Sequence, residues 1–139
     1  MNNCQLDGAG ELLQHLYSQS LSPPPSDIIP ITEANLTSFS QQSYMPPAIK
    51  PADIAMGSTG FLFVPPQCNN PSTACLLHVA FHGCEQGQAF IGSDFAVNTG
   101  LNEWVFANNM IVLYPQAIST HLPYNPKVVS IHLLQSLVL

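Results

Sequence analysis

The 139-residue chain contains no arginine and only two lysines, Lys50 and Lys127. Its net charge of −6 leaves no basic patch able to neutralise phosphates. Nucleic acid is excluded as a partner on that ground, and so is an anionic membrane surface. Charged residues of both signs amount to 7%, against roughly 25% in an ordinary soluble domain. Long apolar runs are missing too, and none approaches the roughly 20 residues of a membrane span. Hydrophobic residues nevertheless reach 46%, enough for one packed core, and the length allows one domain or part of one. The first residues, Met1-Asn2-Asn3-Cys4, lack the basic and apolar regions of a signal peptide. That leaves either a cytoplasmic protein or a chain without its true start.

The four cysteines bear on that choice. Cys68 and Cys75 flank the loop Asn69-Asn70-Pro71-Ser72-Thr73-Ala74. This spacing fits a small disulfide loop, or else two free thiols in a core. It does not fit a metal site, because no second Cys or His pair stands at ligand spacing. A disulfide implies an oxidising compartment, as for a secreted protein. Asn35-Leu36-Thr37 is a glycosylation sequon.

Residues 7–17 read as a helix capped by Asp7, with Leu12, Leu13, Leu16 and Tyr17 on one stripe. Ser22-Pro23-Pro24-Pro25-Ser26 ends it as a linker. Residues 36–44 are a candidate strand. Gly57-Ser58-Thr59-Gly60 is a turn into the short strand Phe61-Leu62-Phe63-Val64, which Pro65-Pro66 stops. Leu76-Leu77-His78-Val79-Ala80-Phe81 is nearly all apolar, as expected of a strand covered on both faces. A turn follows at His82-Gly83-Cys84. Residues 98–109 read as a helix capped by Thr99, burying Leu101, Trp104, Val105 and Phe106. Met110-Ile111-Val112-Leu113-Tyr114 is the next buried strand. Strand, turn, helix and strand in this order predict an α/β fold with a mostly parallel sheet.

Acyl transfer from an ester passes through an oxyanion, which needs backbone N–H donors already aimed at it. In α/β hydrolases one donor comes from the turn after an early strand, where a His-Gly run lets the backbone approach the substrate. Phe81-His82-Gly83-Cys84-Glu85-Gln86 stands in that context; the bland alternative is an ordinary tight turn between strand and helix.

At these residues the chain resembles the polyhydroxybutyrate depolymerase family of esterases. Leu77 through Gly87 looks like that family's oxyanion segment. Ala107-Asn108-Asn109-Met110-Ile111-Val112-Leu113-Tyr114-Pro115-Gln116 looks like its next helix end and strand. Asp7-Gly8-Ala9-Gly10 and the following Leu-rich helix resemble a segment after the catalytic histidine in the circularly permuted, extracellular branch. The resemblance implies an α/β-hydrolase fold, a Ser-His-Asp triad, no cofactor, and polyesters or oligomers of 3-hydroxy acids as substrate. It covers most of residues 2–127, a partial domain, and leaves 128–139 as a divergent tail. It assigns the oxyanion donor to the backbone N–H of Cys84, with His82 and Gly83 lining the substrate. It also implies that Cys84 and Cys4 each pair with a cysteine this chain does not contain.

The nucleophile elbow itself is not here. It has the form G-x-S-x-G, and none of the eight glycines is followed two positions later by serine. In the permuted branch the triad precedes residues 2–10, and in the unpermuted branch it follows residue 127. The expectation is therefore an incomplete α/β-hydrolase fold, inactive alone. Where the family continues from an Asn-Pro loop like Tyr124-Asn125-Pro126-Lys127 into a Trp-rich run, this chain reads Val128-Val129-Ser130-Ile131. The expectation for that change is a retained intron or a gene-model error.

Other chemistries fit less well. His78 and His82 lack the shared helix face of a zinc pair. Cys84 with His82 or His121 could form a thiol–base pair, but a cysteine nucleophile belongs on the elbow. His15 reads as a surface residue, Trp104 as core, and Glu85 and Asp94 as solvated. The alternative function is a non-catalytic, polymer-binding relative of the hydrolase fold.

Overall fold

The computed structural model describes residues 6–17 and 21–120. Cys4, His121, the loop 124–127 and the tail 128–139 lie outside them. Among the described residues four α-helices and four strands follow one another: α1 (Gly8–Tyr17), β1 (Thr37–Ser40), β2 (Thr59–Phe63), β3 (Leu76–Val79), α2 (Gln88–Ile91), α3 (Asp94–Asn98), α4 (Leu101–Ala107) and β4 (Met110–Tyr114). The strands form one sheet in the order β1-β2-β4-β3. β3 and β4 pair in parallel, as a crossover through helices requires. β1 with β2, and β2 with β4, pair antiparallel. The α/β class expected from the sequence therefore holds, but the sheet is mixed rather than mostly parallel. Hydrophobic pattern does not fix strand direction; β2 has lain down on β4 in reverse.

Side chains alternate across a sheet, so each strand has two faces. Met110, Val112 and Tyr114 of β4 share one face with Phe61 and Phe63 of β2 and with His78 of β3. All six are buried, and α4 packs on β4 with α1 packed on α4. Leu13, Leu101, Trp104 and Val105 complete this core. Leu62, Leu77, Val79, Ile111 and Leu113 occupy the opposite face, and none belongs to the core. β3 is thus not covered on both faces as its composition predicted. It is an edge strand, and Leu77 is 56% exposed.

The helices depart from expectation in instructive ways. Asp7 caps α1 as expected, its Oδ1 accepting the Gly10 N–H at 2.9 Å. Its other oxygen accepts the Trp104 indole N–H at 2.8 Å. One carboxylate therefore starts α1 and ties it to α4. The buried stripe of α1 is Gly10 and Leu13, with Tyr17 half-buried; Leu12 and Leu16 face outward. Gly10 is buried because the Trp104 ring lies where a Cβ would stand. The helix expected over 98–109 is divided: Gly100, at φ 78°, separates α3 from α4. Leu101, Trp104 and Val105 are buried as expected, Phe106 is half-buried, and Asn102 joins the buried set. α4 ends at Asn108 and Asn109, the latter at φ 50°, the left-handed geometry asparagine tolerates at a helix C-terminus. The Asn108 side-chain amide also accepts the Ser22 N–H through Oδ1 and donates to the Ser22 carbonyl through Nδ2, so the linker is clasped to α4.

Cys68 and Cys75 form a disulfide, with Cα atoms 5.9 Å apart. Closing so short a loop contributes roughly 2–3 kcal/mol in the chain-entropy account. Gln67 beside it donates to the Phe106 carbonyl and anchors the loop to α4.

Two predictions arise from these contacts. Gly10→Ala places a Cβ 2.3 Å from Trp104 Cζ2, and a ring sandwiched in a core cannot retreat. Urea titration is expected to show a loss of about 1–3 kcal/mol. The second concerns His78, whose pKa burial holds below the ordinary 6.5. The unfolded chain then binds the proton more readily than the folded one. Stability is complete above pH 6.5 and is lost as pH falls through the lower, folded value. The urea midpoint should hold from about pH 8 to 7 and decline towards about pH 5. His78→Leu is expected to flatten that decline.

Candidate active site

β3 delivers the chain into the turn 81–86. The Ala80 N–H donates to the Leu113 carbonyl at 2.9 Å, extending the parallel ladder one step past the strand. The turn then closes with the Gln86 N–H donating to the Gly83 carbonyl at 3.3 Å. Cys84 and Glu85 stand at its corner, and Glu85 has φ 58°. A positive φ at the third turn residue is what a type II turn demands, and a non-glycine there is strained.

His82 holds this turn from behind. Its ring is 2% exposed. Nε2 lies 3.1 Å from the Ala117 N–H, which can only donate, so Nε2 is the acceptor. Nδ1 therefore carries the proton and faces the Gly83 carbonyl at 2.9 Å. Phe95 packs edge-on against the ring. With both nitrogens committed and the side chain buried, the imidazole is not placed as a base for Cys84. What His82 offers a site is the shape of the turn. His78, already set aside as a metal ligand, has its Nδ1 3.1 Å from the Tyr17 hydroxyl. Among the described residues no three His, Cys, Asp or Glu side chains gather to hold a metal ion.

The two glycine-turn amides differ. The Gly83 N–H donates to Gln86 Oε1 at 2.9 Å, inside the turn. Among the described residues nothing accepts the Cys84 N–H. The Cys84 thiol is free and exposed. A shallow hollow beside the turn is lined by Gln86, Ile91, Asp94, Phe95, Asn98 and Thr99. Glu85 and Asp94 are exposed, as expected.

Two buried glutamines, which the sequence reading had passed over, fix the neighbouring segment 114–118. Gln41 donates through Nε2 to the carbonyls of Gly57, at 2.6 Å, and Gln116, at 2.9 Å. Its Oε1 accepts the Gln116 N–H at 3.0 Å. Gln116 Oε1 in turn accepts the Gln88 N–H at 2.7 Å, at the start of α2. The Ala117 N–H that reaches His82 is therefore held on a rigid support. The visible signal was a polar residue directly after an apolar strand and its stopping proline, at Tyr114-Pro115-Gln116.

The comparisons with known proteins now bear on this geometry. The chain is 43% identical over 119 residues to a polyhydroxybutyrate depolymerase of Talaromyces funiculosus. The chain is homologous to a part of the polyhydroxybutyrate depolymerases. The match covers 85% of this chain and 32% of that relative, so the chain spans about a third of its length. A poly(3-hydroxybutyrate) depolymerase of Delftia acidovorans is 35% identical over 117 residues, 84% of this chain and 22% of the relative. The crystal structure of the PHB depolymerase from Penicillium funiculosum superposes with a TM-score of 0.69 at 44% identity, covering 84% of this chain and 33% of the other. A PHB depolymerase serine-to-alanine variant complexed with an R3HB trimer matches with the same score, identity and coverage. No protein-family model matches the chain.

The support of the turn is testable. His82→Ala leaves the buried Ala117 N–H without an acceptor, which costs about 1–3 kcal/mol. His82→Gln, whose amide oxygen reaches the Nε2 position, is expected to restore part of that loss in urea titration.

Proposed function

We propose that this chain carries the oxyanion-hole element of a carboxylic-ester hydrolase acting on poly(3-hydroxybutyrate) or short 3-hydroxyacid oligomers by a serine mechanism. The observation that carries the reading is the Cys84 N–H. Among the described residues it has no acceptor, at the corner of a strained turn whose other amide is already satisfied by Gln86. Such a donor, held in place before the substrate arrives, stabilises an oxyanion without reorganising during the reaction. Gly83 gives the substrate carbonyl room to approach, and His82 braces the turn from beneath. The Cys84 sulfur has no part in the chemistry. The serine, acid and base are supplied by parts of the fold outside this chain, which is inactive alone. Homology to depolymerases, one of them solved with an R3HB trimer, supports the substrate class. The Cys68–Cys75 disulfide supports an oxidising, extracellular setting. No described helix is long and apolar enough to cross a membrane.

The test is a covalent chimera. Residues 6–120 replace the aligned third of the Talaromyces funiculosus enzyme, and hydrolysis of 3-hydroxybutyrate oligomers is measured. The chimera is expected to turn over, and the chain by itself is not. Cys84→Pro, which removes the N–H, is expected to lower kcat about 100- to 1000-fold with little change in KM. Full activity in the proline variant, or robust turnover by the unassisted chain, would overturn the reading.

A further inference from the structure

Resting on the oxidising, extracellular setting proposed above, we propose that Asn35 is an N-glycosylation site and that its glycan guards the outer edge of β1. The sequon Asn35-Leu36-Thr37 lies where the chain enters that strand, and Thr37 is the strand's first residue. Asn35 and Thr37 are exposed, whereas Leu36 between them is half-buried and packs against the core. The acceptor amide and the hydroxyl that marks it are thus both presented outward by a residue that anchors the segment. Asn70-Pro71-Ser72, also exposed at its asparagine, is disqualified by its proline. The Asn35 side chain is arranged to tolerate a sugar. Its Oδ1 accepts the Thr32 N–H at 2.9 Å and lies 3.2 Å from Thr32 Oγ1. A backbone N–H can only donate, so the atom facing it is the oxygen. Among the described residues nothing accepts from Nδ2. In the reaction, Nδ2 bonds to C1 of a lipid diphosphate-linked oligosaccharide. The C1–O bond to the diphosphate breaks, the lipid diphosphate leaves with the electron pair, and Nδ2 releases one proton. Both Oδ1 contacts survive the exchange, so the turn from Thr32 to Asn35 persists under the modification.

The strand beside the sequon needs such a guard. Among the described residues β1 is the outermost strand on its side of the sheet, beyond β2. Its register with β2 runs unbroken from Thr37 to Ser40, and Thr37-Ser38-Phe39-Ser40 holds no charge and no proline. The Gln41 N–H donates to the Ser58 carbonyl at 2.9 Å and continues that register. Bonding direction alternates along a strand, so Ser38 and Ser40 turn their N–H and C=O groups outward. An edge without charge, proline or bulge is open to pairing with another strand. A bulky, hydrophilic group beside it closes that route. Four residues of strand are only about 13 Å long, so a branched oligosaccharide rooted two residues before Thr37 reaches along the edge.

The experiment expresses the full chain behind a secretion leader in a eukaryotic host that adds high-mannose glycans. Peptide N-glycosidase is expected to speed its electrophoretic migration and to convert Asn35 to Asp, read by peptide mass spectrometry, with Asn70 untouched. The glycan is attached in the secretory lumen, so chain retained there is scored together with chain released. Thr37→Ala is expected to abolish the modification, and Thr37→Ser, which keeps the hydroxyl, to retain it. An unmodified Asn35 in chain whose Cys68–Cys75 bridge has formed overturns the proposal and leaves the oxyanion reading as it was. No step of this readout involves ester hydrolysis, so a chimera that fails to turn over leaves the site standing. Endoglycosidase H then trims the glycan to a single sugar. Trimmed chain is expected to self-associate at a concentration at least about tenfold lower than intact chain, with slowed amide exchange at Ser38 and Ser40. Ser38→Lys, which places charge on the edge, is expected to return trimmed chain to the behaviour of intact chain. Equal association of trimmed and intact chain, or protection that falls elsewhere than on β1, overturns the guarding role.

Discussion

Burial of one face of β4 is the constraint on which the structure depends. Met110, Val112 and Tyr114 are each completely buried. β2 and β3 pair with this strand from opposite sides, and α4 covers it. The Tyr114 hydroxyl, carried into the core by that burial, donates to Asn102 Oδ1 at 2.7 Å and lies 3.2 Å from Thr99 Oγ1. Burial pushes its pKa far up, so it remains a neutral donor. Asn102 passes the connection on to the Ala96 carbonyl at 2.7 Å. β4, the start of α4 and the middle of α3 are thereby joined through polar groups that find partners inside the core.

The turn at 81–86 inherits its rigidity from the same strand. The chain leaves β4 at Pro115 and is gripped at once by Gln41, Gln88 and His82. Buried backbone amides leave little room for adjustment, since each lost partner costs about 1–3 kcal/mol. The Cys84 corner is consequently held from the rear by bonds unrelated to any ester. Preorganisation of this kind is what the proposed oxyanion donor would need.

The two faces of the sheet have different fates for one reason. α3 and α4, together with α1, contribute to the core on the face that carries Met110 and Val112. Ile111 and Leu113 on the reverse are as apolar as their neighbours, yet no described residue of the buried core reaches them. An α/β sheet with helices on both faces has a place for such residues; among the described residues they are only half-buried.

Local sequence by itself determined the existence of α1, β2, β3, α4 and β4. Period and punctuation act within a few residues: Asp7 caps, Pro65 and Pro115 stop strands, and Asn109 takes the left-handed turn. It also pointed to the turn at His82-Gly83-Cys84, because a His-Gly run after an apolar strand is a local feature. Only the tertiary structure decided which leucines of α1 are buried, since Gly10 and Leu13 face Trp104 across 90 and more residues of chain. The direction of β2, the edge position of β3 and the inward turn of the His82 ring were decided there too. Each depends on a partner distant in sequence, such as Ala117 for His82, and no window of neighbouring residues contains that partner. The Cys84 N–H joins both levels: its place in the turn was legible locally, and its lack of an acceptor among the described residues follows only from where Gln86 and the rest of the described fold came to lie.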